Sequence, residues 1–183
     1  MLNTYYHKFD KALSKDFCEY VLASVNWEES KTAEINRGTD HLVKEDTRIS
    51  RVVWQDLLTP IGCVLKNYLL QANTIWKYDL SYLEQGQIAE YGLGGHYDWH
   101  IDSGGGAVTS TIRKLSFSLL LSNPSEFEGG RFEVKTESDN PIELEQKRGR
   151  AWLFPSHILH RVTPVTKGER KSLVIWVSGP QFR

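Results

Sequence analysis

Four of the six histidines stand in two places, His96 and His100 within HYDWHID and His157 and His160 within FPSHILHRVTPV. On an extended strand, side chains alternate between faces. His96, Asp98, His100 and Asp102 then all project to one side, with alternate Cα atoms roughly 6.6 Å apart. Either His-x-Asp pair can grip one metal ion. Two imidazoles and one carboxylate on one side of a ferrous ion leave the opposite positions open for a co-substrate and oxygen. The third ligand must then be His157 or His160. The competing reading is a plain solvated strand face, because a lone His-x-Asp pair arises easily by chance.

A ferrous ion held this way keeps a net charge of about +1, which attracts a chelating dianion without neutralising it. A second cation is therefore needed. Arg170 suits the role, since a planar guanidinium pairs bidentately with a carboxylate at the far end of a short diacid. It follows His160 by ten residues, a distance that a strand, a turn at 166–169 and the start of the next strand would span. The local alternative is a surface ion pair with Glu169 or a nearby acid.

The elements that must position these groups are readable from periodicity. Phe17, Cys18, Val21, Leu22 and Val25 recur at helical spacing behind Ser14, a suitable N-cap. A second helix begins with Thr59 as cap and Pro60 at the first position, with Ile61, Val64, Leu65, Tyr68, Leu69 and Ala72 on one stripe. Residues 28–50 between them are polar and read as loop or edge strand. From Ile75 the period becomes two: Trp76, Tyr78, Leu80 and Tyr82 predict one strand, and Leu115, Phe117, Leu119 and Leu121 another. Short β-like runs follow at Arg131–Lys135, Ile142–Leu144, Ala151–Phe154 and Ser172–Ser178, separated by Gly, Pro and Asn turn formers. Many short strands after two helices predict a mainly β sandwich or jelly roll. The glycines of 103–111 make that loop a candidate mobile cover.

The chain of 183 residues suits one domain, with helical support over about 1–74 and a β core over about 75–183. A formal net charge of −1 supplies no overall basic field, which disfavours nucleic acid and anionic membranes as partners. The longest apolar run, Leu173–Val177, is far shorter than the ~20 residues of a membrane span, and the first residues lack the apolar core of a signal peptide. Cys18 and Cys63 alone rule out a disulfide scaffold and fit a reducing cytoplasm.

The ordered pattern Tyr91-x2-Gly94-x2-Tyr97-x2-His100-x-Asp102, then Phe154-Pro155-x4-His160-x-Val162-x-Pro164-Val165, then Arg170 and Trp176, resembles the Fe(II)- and 2-oxoglutarate-dependent dioxygenases of the prolyl 4-hydroxylase type. The resemblance covers about residues 76–180. It implies a double-stranded β-helix fold, with His100, Asp102 and His160 as iron ligands in preference to His96 and Asp98. It further implies that Arg170 binds the distal carboxylate of 2-oxoglutarate, that Tyr91 lines the co-substrate pocket, and that Ser116 or Ser118 stands near the co-substrate. Leu120 departs from relatives that carry a tyrosine assisting that carboxylate, so Arg170 needs another helper here.

The activity implied is hydroxylation of an unactivated C–H bond with O2, giving succinate and CO2, with ascorbate as reductant. The substrate implied is a prolyl residue in a peptide or protein, as in a procollagen-proline 4-dioxygenase. Trp176, on the cavity side of its strand, is a candidate pocket wall or simple packing between sheets. Arg113 is a candidate substrate contact or a solvated loop residue. His157 reads as a loop residue, His96 and Asp98 as rim groups, and His7 and His41 carry no signal. Three other readings stay open: a hydroxylase of a free amino acid or small metabolite, a zinc hydrolase, and a non-catalytic jelly-roll binding module. Oligomeric state is not encoded in any of these signals.

Overall fold

Alternation along the Thr111–Leu120 strand sets the layering of the molecule. Leu115, Phe117 and Leu119 have no exposed surface and face two helices, while Ser116 and Ser118 are buried on the opposite face, toward a second sheet. The computed structural model describes residues 4–33, 35–37, 40–42, 46–57, 60–104, 111–138 and 140–182. Within them, Thr111–Leu120 and Arg170–Pro180 pair antiparallel at the centre of the larger sheet. Its order is His7–Phe9, Ala151–Pro155, Thr111–Leu120, Arg170–Pro180, Gly86–Tyr91, Arg51–Gln55, Lys31–Thr32, with Tyr82–Leu83 also paired to Arg170–Pro180. The smaller sheet runs Ile142–Glu143, Phe132–Val134, His160–Val162, His96–His100, Arg48–Ile49. The two sheets face each other as a double-stranded β-helix, or jelly roll.

Two cores follow from this layering. Helices α1 (Lys15–Ala23) and α2 (Pro60–Trp76) cover the outer face of the larger sheet, where Cys18, Val21, Leu65, Leu69 and Ala72 meet Val53, Ile88, Phe117 and Ile175. Full burial of Leu65 or Leu69 is worth roughly 1.5–3 kcal/mol each. The second core lies between the sheets and includes Val52, Ala89, Tyr91, Phe132, Phe154 and Val162. Among the described residues, no helix is long and apolar enough to cross a membrane.

Several expectations need correction. The Ser14 hydroxyl accepts from the Phe17 amide at 3.2 Å, as a cap should, whereas the Thr59 cap lies outside the described residues. Val64 is 42% exposed. At 3.6 residues per turn it sits roughly 105° from the centre of the stripe formed by Leu65, Leu69 and Ala72. The strand expected from Ile75 is absent: α2 continues through Trp76, and only Tyr82–Leu83 joins a sheet. Lys77, at φ 56°, breaks the helix, and the Asn73 side chain brackets Tyr78, accepting from its amide at 3.0 Å and donating to its carbonyl at 2.9 Å. Trp76 therefore packs onto the core from the end of α2, and Tyr78 and Leu80 from the connecting segment that follows. The first 74 residues are also more than helical support. His7–Phe9, Lys31–Thr32, Arg48–Ile49 and Arg51–Gln55 all join the two sheets.

Candidate active site

Three ligand-bearing residues converge because two short strands lie side by side. His100 ends the His96–His100 strand and is the register partner of His160, which begins His160–Val162. Gly94, at φ 75°, turns the chain between the strand carrying Tyr91 and the one carrying His100. Asp102 follows at once, its amide donating to the Ser156 carbonyl at 2.8 Å. The ligand atoms of His100, Asp102 and His160 all lie within 4.8 Å of one another.

The donor set fits a ferrous ion. The Nδ1 of His100 lies 2.7 Å from the Asp98 carbonyl and that of His160 lies 2.9 Å from the Ile158 carbonyl. Those carbonyls fix Nδ1 as the protonated nitrogen and leave both Nε2 lone pairs facing the Asp102 carboxylate, at 3.7 and 3.5 Å. Burial, then the neighbouring His160, lowers the His100 pKa to about 3, so this imidazole is neutral and ready to ligate at physiological pH. Burial alone would raise the pKa of Asp102. The neighbouring His160 and His100, with hydrogen bonds from the Ser116 hydroxyl and the Trp176 indole, outweigh it and hold the carboxyl below its usual value. Tyr97 stacks on His100 at 3.4 Å between centroids, and Phe154 meets His160 edge-on at 4.7 Å, so both rings are clamped.

Ser116 is committed to Asp102 in this structure. Its hydroxyl donates to Asp102 at 2.7 Å and lies 2.9 Å from the Ser156 hydroxyl, so it orients the carboxylate ligand. Of the two serines, Ser118 is the one that lines the cavity. Loss of such an outer partner costs about 10- to 100-fold in metal affinity. Ser116→Ala is expected to weaken Fe(II) binding within that range, measured by calorimetry without oxygen, while His96→Ala leaves it unchanged.

Arg170 is 2% exposed. Its Nε donates to Gln146 at 2.9 Å, its Nη1 donates to the Ser172 hydroxyl at 3.0 Å, and its guanidinium lies 5.4 Å from the centre of the Tyr91 ring. These are neutral partners, and Glu169 pairs with Lys171 instead, at 2.7 Å. Burial lowers the Arg170 pKa to about 10, which leaves it charged at neutral pH. A buried cation with no carboxylate among the described residues is costly until an anion arrives. Gln146 and Ser172 hold the guanidinium in place, which the apolar Leu120 side chain cannot do. Tyr91, 3% exposed, is the register partner of Arg170 and lines the same cavity.

Trp176 is 6% exposed and forms one wall of the cavity, with its buried Nε1 turned toward the Asp102 carboxylate. The expectation for Arg113 needs correcting. It belongs to the Thr111–Leu120 strand, donates to Glu84 through Nε and Nη2 at 2.9 and 2.8 Å, and lies 3.9 Å over the Trp176 ring. Glu84 also accepts from the Ser178 hydroxyl. The charge of Arg113 is thus spent on Glu84, and its visible role is to back the Trp176 indole. His96, whose Nδ1 lies 3.0 Å from the Gly94 carbonyl, the exposed Asp98 and the exposed His157 stand outside the triad. Most of the 103–111 loop lies outside the described residues. A larger cavity of about 730 Å³ lies between the helices and the larger sheet, lined by Phe17, Tyr20, Leu57 and Ile61, and holds none of the triad.

Residues that the sequence did not flag complete the site. Arg48 and Gln87 also line the cavity, beside Tyr97. Their signals are weak, because each sits in a polar stretch with no local motif.

The sequence profile described as the 2OG-Fe(II) oxygenase superfamily matches residues 86–178. A PKHD-type hydroxylase of Idiomarina loihiensis is 38% identical over 102 residues, covering 52% of this chain and 44% of its own length. One of Gloeothece citriformis is 33% identical over 138 residues, covering 74% of this chain and 60% of its own. The match therefore spans less than two thirds of either relative. Among solved structures, a Pseudomonas putida prolyl-4-hydroxylase superposes with a TM-score of 0.73 at 20% identity, covering 96% of this chain and 92% of that one. A Trichoplax adhaerens prolyl hydroxylase, solved with a hypoxia inducible factor oxygen degradation domain peptide, gives 0.71 at 17% identity, with 96% and 84% covered. At these identities the two structures speak for a shared fold.

Proposed function

This chain belongs to the 2OG-Fe(II) oxygenase superfamily, and from that premise we propose that it hydroxylates a prolyl residue of a peptide or protein, releasing succinate and CO2. The observation that carries the reading is the His100, Asp102 and His160 cluster, within 4.8 Å, in the same cavity as a buried guanidinium without a carboxylate partner. A zinc hydrolase would have no use for Arg170, and a binding module would have no use for the triad.

Fe(II), when held by the three ligands, supplies the oxygen activation needed to oxidise an unactivated C–H bond. The rest is the work of the chain. Arg170 pairs with the distal carboxylate of 2-oxoglutarate, and Gln146 and Ser172 fix the direction of its guanidinium. Tyr91 flanks that carboxylate from the neighbouring strand. Ser116 and Ser156 keep Asp102 oriented for ligation. Trp176, Tyr97 and Phe154 enclose the centre in apolar surface, which excludes water from the reacting groups. Ascorbate would be the reductant that keeps the iron ferrous. The relatives named as PKHD-type hydroxylases, and the structural neighbour solved with a peptide, support a prolyl peptide as substrate.

The test is succinate formation from 2-oxoglutarate under air with Fe(II), ascorbate and a library of proline-containing peptides. The expected result is succinate in step with a gain of one oxygen mass on a peptide. Succinate that never rises, or turnover supported by Zn(II) alone, would overturn the proposal.

A further inference from the structure

The cavity holds a second buried guanidinium. Arg48 is 6% exposed, lies at the edge of the smaller sheet and is the register partner of Tyr97. Its Nε donates to the Ser50 hydroxyl at 2.8 Å, its Nη2 donates to the Gln87 side-chain carbonyl at 2.8 Å, and its guanidinium lies 4.5 Å from the centre of the Tyr97 ring. All three partners are neutral. Among the described residues Arg48 forms no ion pair, in contrast to Arg113, Arg131 and Arg161, which each reach a glutamate.

Position separates this cation from the co-substrate anchor. Gln87 is the register partner of Val174, four residues along the strand from Arg170, which is roughly 13 Å at the rise of an extended chain. Ser116, the partner of Asp102, stands opposite Trp176. Arg48 therefore reaches the cavity near the level of Asp102 and its Ser116 partner, and away from Arg170. Charge points the same way. The ferrous ion and Arg170 bring three positive charges, Asp102 and 2-oxoglutarate bring three negative ones, and the loaded centre is neutral without Arg48. A buried cation left unpaired is strongly unfavourable, and a carboxylate with charge-assisted hydrogen bonds relieves that cost.

We propose that Arg48 receives a carboxylate of the molecule being oxidised, so that the substrate class is one that presents a carboxylate close to the carbon attacked. This rests on the oxygenase reading above. The carboxylate is either the α-carboxylate of a free amino acid or an acidic side chain beside the target residue in a peptide.

The experiment is calorimetric binding without oxygen to the chain loaded with Fe(II) and 2-oxoglutarate, using two matched pairs of probes. One pair is L-proline and L-prolinamide; the other is acetyl-Gly-Pro-Asp-amide and acetyl-Gly-Pro-Asn-amide. In one pair the acid is expected to bind about tenfold or more tightly than its amide, as a charged hydrogen bond implies. That pair identifies the source of the carboxylate. Arg48→Gln should bring the ratio close to one, Arg48→Lys should keep part of it, and neither should shift 2-oxoglutarate affinity appreciably. Equal binding of acids and amides, or no binding of any probe, overturns the proposal. So does an Arg48→Gln variant that loses 2-oxoglutarate affinity with its acid preference intact. Succinate formation by the wild type under air is scored separately. Its absence beside an intact acid preference counts against the oxygenase reading and not against the anion site.

Discussion

His160→Ala is expected to abolish succinate formation, with turnover falling by more than the roughly 10- to 100-fold that loss of an outer partner causes. The reason is ligand number. With His100 and Asp102 alone, the ion keeps two protein ligands, and the facial arrangement that leaves one side open is lost. His160 is 5% exposed and touches Phe132 and Phe154, at 5.9 and 4.7 Å between ring centres. The substitution therefore also opens a small cavity, and His160→Gln, which keeps most of the volume, separates lost ligation from lost packing. Both variants should retain the fold by near-ultraviolet circular dichroism and lose activity together. Activity that survives in the glutamine variant at the wild-type level would remove His160 from the ligand set.

The second large effect concerns Arg170, and it carries opposite signs on two readouts. Arg170→Gln should raise the KM for 2-oxoglutarate by roughly 100-fold, the equivalent of about 2.7 kcal/mol, within the range for a hydrogen-bonded charge in a buried site. The kcat should fall far less, because the interaction is made with the bound co-substrate as much as with the transition state. In the ligand-free chain the guanidinium is a fully buried charge with only Gln146, Ser172 and the Tyr91 face for company. Removing it relieves a desolvation cost. The thermal midpoint of the ligand-free variant should therefore be unchanged or higher. A lower midpoint with an unaltered KM would mean that Arg170 is a structural residue.

The candidate metal ligands are legible in the sequence because ligation restricts residue type so tightly. A His-x-Asp pair and a distant histidine can be found without knowing the sheet, and Arg170 follows from the charge that such a site leaves over. Choosing His100 and Asp102 over His96 and Asp98 needed the surrounding pattern of Tyr91, Gly94 and Tyr97. Strand periodicity places both pairs on one side, but only the end of the strand lies beside His160. Partners that meet across the sheets leave no local trace. Arg48 finds Gln87 from 39 residues away, and Arg170 finds Gln146 from 24. The resemblance implies Ser116 or Ser118 near the co-substrate, but that Ser116 meets Asp102 depends on where the chain turns after His100. The misread strand at 75–82 has a similar cause: alternation reports which side chains are buried, and Asn73 together with Lys77 decides that the backbone there pairs with no strand until Tyr82.

Ferrous ion titrated by calorimetry into the wild-type chain, with oxygen excluded and 2-oxoglutarate present, bears most directly on whether the three side chains form one metal centre. One Fe(II) should bind per chain, and Asp102→Ala at the same concentration should take up none. A wild-type chain that binds no ferrous ion, or an Asp102→Ala chain that binds it equally well, would contradict the assignment.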